Sequence, residues 1–367
     1  MLKIMSWTKH FFNYFVLVLV MVAFVELASF CIAVFFVNNI YSHSETIFEN
    51  VSFKNHRLLG WVEKYGAENP RPSAITIERR ADKDYCVYIF GDSFAHADEV
   101  SHEAAWSNVL EKKLGCNVAN FGVGGYGSDQ AYLRLSELLP SRAVDNRSRP
   151  KIVLFGIYQE MLRRNMAASW LFYCCPERKT SLKPYYKFNK TNQTITLEPI
   201  PIQAGIEEVR RHHREDKYYQ LSKVEFPYTL GIMKAALYRL NKRAFDILVI
   251  QGWRAYAKED VVRKQYLIMG KVIDLALSRG YTPIFLVFPN TYDAARNKKR
   301  YAQFLRDIPF KDDVDRPFDI IDLLGPLHAI SKEKNRELRA PGGHYNSLAN
   351  KVIGEHLHKS IGKKLTF

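Results

Sequence analysis

The chain has 367 residues, of which 47% are hydrophobic, 13% aromatic and 25% charged. That composition is ample for a sizeable core and excludes a disordered chain. The net charge of +15 is scattered through short basic groups, with no zinc-finger spacing and no aromatic-plus-basic RNA motif, so nucleic acid is not an expected partner.

The first element is an apolar run over residues 14–37, "YFVLVLVMVAFVELASFCIAVFFV", with Glu26 as its one charge. As a helix it would be about 36 Å long, enough to cross a hydrocarbon core of about 30 Å. It is too long for a signal-peptide core and no A-x-A cleavage pattern follows, so an uncleaved anchor is expected. Lys3 and Lys9 precede the run, while Glu45 and Glu49 follow it with no nearby Lys or Arg. The positive-inside rule then puts residues 1–13 in the cytoplasm and the rest outside the cytoplasmic membrane, the periplasmic side of a bacterial inner membrane. Glu26 is costly at that depth, and snorkelling, a partner helix or protonation would each relieve it.

Residues 38–82 are weakly patterned and read as a linker, with "GAENPRPSA" as a loop. Strand-like and helix-like segments then alternate. Strands are expected at 85–90, 117–122, 151–158, 282–289 and 318–323. Helices are expected at 103–114, 129–139, 260–280 and 347–359. The helix at 260–280 places Val262, Tyr266, Met269, Val272, Ile273 and Leu277 on one side. A hairpin is expected within 183–202, turning near Asn192. Continuous apolar strands alternating with helices indicate a parallel sheet covered on both faces. The expected fold is therefore α/β: one doubly wound sheet of about five strands over residues 83–362, with an insertion at about 166–240.

Of the five cysteines, Cys31 lies in the apolar run, and Cys86 and Cys116 flank strands and read as buried free thiols; Cys174 and Cys175 are adjacent. No CxxC spacing suggests a metal site. Asn146, Asn189 and Asn192 begin N-x-S/T sequons, which matter only in a eukaryotic secretory context.

Three segments carry chemistry. In "IFGDSFAHADEV", Ser93 follows a strand and precedes a helix, which can lift its Oγ out of the sheet and aim its N–H at a reacting oxygen. The segment is not a G-x-S-x-G elbow, because position 95 is Ala, and alone it fits an ordinary turn serine. In "NVANFGVGGYGSDQ", four glycines at a strand end allow close approach of a backbone N–H to an anion, though tight turns often look the same. It lacks the P-loop Lys and the G-x-G-x-x-G order. In "APGGHYNSLANKVIGEHL", His344 stands in a loop directly before the last helix.

Together "GDSF", "NFGVGGYGSDQ" and "GGHYN" resemble the SGNH (GDSL-type) hydrolase superfamily over most of residues 85–358. The resemblance implies a flavodoxin-like sheet and ester hydrolysis or acyl transfer, often of acetyl groups on carbohydrate. By position, it makes Ser93 the nucleophile and His344 the general base, with the Ser93 and Gly125 N–H groups as oxyanion donors. Two departures stand out. Where the family has Gly-x-Asn-Asp after the third strand, this chain has Gln159, Glu160 and Met161. Gln159 can still donate, whereas an ionised Glu160 would repel an oxyanion. Where the family has Asp shortly before the His, this chain has Pro341 and Gly342. A Ser-His dyad, or a distant acid such as Glu160 or Asp322, is then expected.

Asp92, Glu160, Arg163 and Asn346 are candidate substrate-binding or orienting residues; an ion pair between Glu160 and Arg163 bracing the strand end explains that pair equally well. The expected activity is a membrane-anchored esterase acting on an O-acyl, for instance O-acetyl, ester of a cell-surface glycan. Its partners would be that acylated glycan or another small ester, and the lipid bilayer through residues 14–37. No metal or organic cofactor is implied. An acyltransferase on the same residues, or a glycan-binding or assembly subunit with a degraded site, are the competing expectations.

Overall fold

A computed structural model describes residues 2–37, 53–63, 85–140, 151–166, 168–171, 180–200, 226–233, 256, 259–334 and 337–365. Most of the 166–240 insertion, the "GAENPRPSA" loop, Asn146, Cys174 and Cys175 lie outside the described residues. The chain forms two compact units, one of residues Met1–Ile47, Leu171–Ser181 and Gln203–Ile250, the other of Phe48–Trp170, Leu182–Ile202 and Gln251–Phe367.

In the first unit, helix α1 spans Leu2–Ile32, so the expected cytoplasmic segment continues the helix rather than preceding it. The stretch Phe12–Phe35, which runs from α1 into the π-helical turn Ala33–Val37, is long and apolar enough to cross a membrane. The Glu26 carboxylate accepts hydrogen bonds from the Tyr228 N–H, from the Thr229 N–H at 3.1 Å and from the Thr229 Oγ1 at 2.6 Å. These bonds tie Glu26 to a short helical turn of the same chain.

The second unit is built on a five-stranded sheet. Its strands are β3 (Tyr85–Phe90), β4 (Asn117–Asn120), β5 (Ile152–Tyr158), β8 (Thr282–Phe288) and β9 (Asp319–Asp322). Two hairpins supply the other labels: β1 (Phe53–His56) with β2 (Gly60–Glu63), and β6 (Tyr185–Asn189) with β7 (Thr194–Glu198). All sheet pairings are parallel, in the spatial order β9-β8-β5-β3-β4. This is the doubly wound 2-1-3-4-5 order, whose switch point lies between the first and third strands, here β3 and β5. Every residue of β3 and β5 is buried, which is why both read as unbroken apolar runs rather than alternating ones.

Helices α3 (Trp106–Leu114) and α9 (Ser347–Leu365) pack on each other, as do α4 (Ser128–Leu138) and α6 (Glu259–Ser278). The α3–α9 crossing is close: a Cβ on Gly354 would sit 2.7 Å from Val109 Cβ and 2.8 Å from the Trp106 carbonyl. Helix α9 runs past the expected end at 359 because Ile361 and Leu365 extend its buried face. In α6, Val261 and Ala276 take core places, while Val262 and Leu277 are only half-buried.

Two expectations change. The β1–β2 hairpin falls in the stretch read as linker, yet Leu59 and Trp61 are buried in the second unit. Cys86 and Cys116 form a disulfide, with Cα atoms 6.0 Å apart, and are not free thiols. The parallel β3–β4 register pairs Tyr85 with Asn117 and shifts at residue 86, which brings the two cysteines together; a separation of 30 residues in sequence conceals that neighbourhood.

Candidate active site

The site lies at the carboxyl ends of β3, β4 and β5, on the two sides of the switch point. After Phe90 the chain turns sharply at Gly91, where a Cβ would come within 2.5 Å of the Ala95 Cβ. Asp92 then caps the short helix α2 (Ser93–His96), its Oδ1 accepting from the Phe94 N–H at 3.0 Å. Asp92 is fully buried and its Oδ2 lies 3.1 Å from Arg164 Nη1. Arg164 also donates to the Tyr126 carbonyl at 3.0 Å. Burial pushes the Asp92 pKa up, and the Arg164 cation pulls it back. Asp92 therefore orients the Ser93 turn and has no surface to offer a substrate.

The glycine loop is pressed against this turn. A Cβ on Gly122 would lie 2.5 Å from the His96 backbone nitrogen. Asn120 donates to the Ala95 carbonyl at 3.0 Å and accepts from the Gly122 N–H at 3.0 Å, tying the end of β4 to α2. Trp61 of the first hairpin donates to the Gly124 carbonyl at 3.0 Å, and the Tyr126 hydroxyl donates to the Trp61 carbonyl at 2.6 Å. Gly125 adopts φ +82°, a conformation that favours glycine. Among the described residues, neither Ser93 nor Gly125 gives its backbone N–H to another protein group.

Beneath the loop, His96 is buried between the Asp98 carboxylate and Glu63, whose Oε1 is 3.2 Å from Nε2. Glu63 in turn faces Arg134 at 3.8 Å. The cluster fastens α2 to the hairpin.

His344 comes from the far end of the sequence. Its ring centroid is 5.1 Å from that of Phe94, the residue after Ser93. Phe94 stacks on Tyr158 at 4.0 Å and meets Tyr345 edge-on at 5.0 Å, forming an aromatic floor. A hydrogen-bonded chain joins the two segments. Trp106 Nε1 donates to the Phe94 carbonyl at 3.1 Å, and its backbone N–H donates to Asn350 Oδ1 at 3.2 Å. Asn350 Nδ2 donates to the Tyr345 carbonyl at 3.0 Å. Asn346 caps α9, its Oδ1 accepting from the Ala349 N–H at 3.0 Å, and so shapes the loop that carries His344.

A carboxylate does stand beside His344, and it is neither of those considered from sequence. Glu99 Oε1 is 3.4 Å from His344 Nδ1, and Glu99 Oε2 accepts from the His344 N–H at 3.3 Å. Glu160 instead pairs with Arg163 at 3.0 Å, the bracing alternative. Asp322 accepts from the Tyr301 hydroxyl at 2.5 Å and pairs with Lys299 at 2.7 Å. Glu99 escapes sequence reasoning because 245 residues separate it from His344. The available signal was Gly342, a glycine where the resemblance implies an acid.

Gln159 opens α5 (Gln159–Arg164) and is buried, its Oε1 accepting from Asn290 Nδ2 at 3.2 Å. The Gln159 side chain also hydrogen-bonds to the Tyr158 hydroxyl. Asn290, the cap of α7 (Thr291–Arg296) beyond β8, is a further polar residue at the strand ends that was not anticipated.

No protein-family model matches the chain, and no curated protein matches it. Among solved structures it is similar to a member of the lipolytic G-D-S-L family from Veillonella parvula, at 9% identity and TM-score 0.38, over 74% of this chain and 96% of that one. It is also similar to TesA, at 11% identity and TM-score 0.37, over 76% and 99% of the respective chains. An acetyl xylan esterase, Est2A, from the rumen bacterium Butyrivibrio proteoclasticus matches at 10% identity and TM-score 0.32, over 77% of this chain and 64% of that one. These likenesses are distant, and the roles of individual residues rest on this chain's own geometry.

Proposed function

We propose that the protein is a membrane-anchored serine esterase of SGNH type that removes O-acyl groups, O-acetyl among them, from a cell-surface carbohydrate. The observation that carries this reading is the convergence of three remote segments on the turn after β3: the glycine loop after β4 packs on α2 at Gly122, and the His344 ring lies 5.1 Å from that of Phe94, the residue after Ser93. Ser93 Oγ attacks the ester carbonyl while the His344 imidazole takes its proton. The tetrahedral oxyanion receives hydrogen bonds from the Ser93 and Gly125 N–H groups, with Gln159 Nε2 as a further donor. Collapse expels the sugar alkoxide, which His344 reprotonates. Water, activated in turn by His344, then releases the carboxylic acid and restores Ser93. A sugar hydroxyl in place of that water would make the enzyme a transferase.

Anchoring through residues 14–37, with the hydrolase unit outside the cytoplasmic membrane, is supported by Lys3 and Lys9 ahead of the apolar run. The Cys86–Cys116 disulfide fits an oxidising compartment.

A glycan-binding subunit with a weakened site is the second reading. It is favoured by Glu160 standing ion-paired with Arg163 and by Gln159 engaging Asn290, at the place where the resemblance implies an Asn donor. Acetate release from acetylated glycans separates the two. The esterase reading expects release by the wild type and none by Ser93→Ala; release by neither supports the binding subunit, and equal release by both overturns Ser93 as the nucleophile.

A further inference from the structure

We infer that Glu99 is the positioning acid of this site, standing in for the Asp that the loop before His344 lacks. The inference rests on the serine-esterase reading above. Four independent features converge on it.

First, the Glu99 carboxylate engages His344 twice. Oε1 is 3.4 Å from Nδ1 and Oε2 accepts from the backbone N–H at 3.3 Å. Second, Nδ1 is buried and makes no hydrogen bond among the described residues, and the carboxylate oxygen it faces, at ion-pair distance, is Glu99 Oε1. The separation is ion-pair range, longer than an aligned hydrogen bond. Third, Glu99 adopts a left-handed backbone, φ +69°, which is uncommon outside glycine and asparagine. Ala97, two residues earlier, does the same at φ +67°. These two turns reverse the chain after α2 and return it to the His344 loop. Local strain of this kind persists where the surroundings enforce it.

Fourth, Gly342 points its missing side chain at the acid. A Cβ there would lie 1.4 Å from Glu99 Oε1 and 2.6 Å from its Cδ. Residue 342 and Glu99 therefore compete for one volume. An acid can fill it from position 342 or from position 99, and this chain uses position 99, which requires glycine at 342. The other nearby carboxylate, Asp92, is committed to Phe94 and Arg164.

On this assignment the Glu99 carboxylate favours the tautomer with the proton on Nδ1, which leaves Nε2 as the nitrogen that takes the Ser93 proton. As the imidazole takes the serine proton, the Glu99 anion stabilises the imidazolium that forms. Glu99 transfers no proton.

The exclusivity of the two positions gives the test. Full-length protein in detergent is treated with a fluorophosphonate, and the labelling rate is compared for wild type, Ser93→Ala, Glu99→Gln, Glu99→Ala, Gly342→Asp and the double variant Glu99→Ala/Gly342→Asp, with melting temperatures recorded for each. Glu99→Gln keeps the shape and removes the charge, and is expected to slow labelling by roughly 10²- to 10⁴-fold. Gly342→Asp alone is expected to slow it as well, because the new side chain collides with Glu99. The double variant is expected to label faster than Glu99→Ala or Gly342→Asp alone. Gly342 lacks the left-handed φ of its neighbour Gly343 (φ +111°), so its backbone admits Asp once Glu99 is gone. Ser93-dependent labelling of the wild type with an unchanged rate in Glu99→Gln overturns the assignment alone. So does a folded double variant no faster than its parents. A wild type that does not label at all removes the esterase reading and this assignment with it.

Discussion

The turn that carries Ser93 and the loop that carries His344 are held in opposite ways. Ser93 stands on a buried, over-determined corner: a sharp glycine turn, a capped helix, a fully buried Asp92–Arg164 pair and a glycine loop packed within a Cβ's reach. The His344 side chain is about a quarter exposed and is held by Glu99, itself similarly exposed, and by the aromatic floor. One hydrogen-bonded chain, from Phe94 through Trp106 and Asn350 to Tyr345, keeps the two in register. On the proposed reading, the nucleophile is fixed by burial and the base by a few polar contacts. A rigid corner and an adjustable partner suit a reaction in which the imidazole must face first the serine and then the leaving group.

That contrast can be broken first at the rigid corner. Arg164→Ala leaves Asp92 buried without its cation, and chemical denaturation should show a loss of about 3–5 kcal/mol. The pH dependence follows from the raised Asp92 pKa. A carboxyl raised in the folded state holds its proton longer there than in the unfolded chain. Ionising it therefore costs stability as the pH rises above the ordinary value of 3.8. The Arg164→Ala loss should be largest at neutral pH and shrink on acidification, as Asp92 becomes protonated. A loss that grows in acid would contradict the buried-pair account.

The disulfide comes next. It closes the stretch of chain bearing Ser93, α2 and Glu99, so Cys86→Ser/Cys116→Ser should lower stability by about 2–4 kcal/mol in the same measurement. Asn350→Ala removes the link between the two segments and should cost about 1–3 kcal/mol, because Asn350 is buried and its partners lose their bonds. It should also slow ester turnover more than an equally destabilising change far from the link, as judged by kcat against Tm. The smallest effect belongs to the exposed loop. Asn346→Ala loses one helix cap, worth about 1 kcal/mol, and should leave KM unchanged if Asn346 only shapes the chain.

The same contrast explains what could be read from the sequence. The five strands and the long helices were legible because continuous burial leaves apolar runs and amphipathic periods in the chain, as in "YCVYIF", "KIVLFGIY" and the helix around Met269. Ser93, Gly125 and His344 stand out as candidates in the sequence because each lies in a connection that leads from a strand end or into a helix. The features that escaped are pairings between remote segments. The Trp61 hairpin is short, and its burial depends on the glycine loop it covers. The Cys86–Cys116 bond depends on parallel register, and the Glu99–His344 pair on two left-handed residues. Asp92, Glu160 and Asn346, by contrast, serve as cap, brace and cap, roles set by immediate neighbours.

The central claim is that Ser93 is an activated nucleophile. Full-length protein treated with a fluorophosphonate, digested and mapped by mass spectrometry tests it most directly. The account predicts one adduct, on the peptide containing Ser93, absent from Ser93→Ala and strongly reduced in His344→Ala. No adduct on the folded wild type, or an adduct that persists in Ser93→Ala, would contradict it.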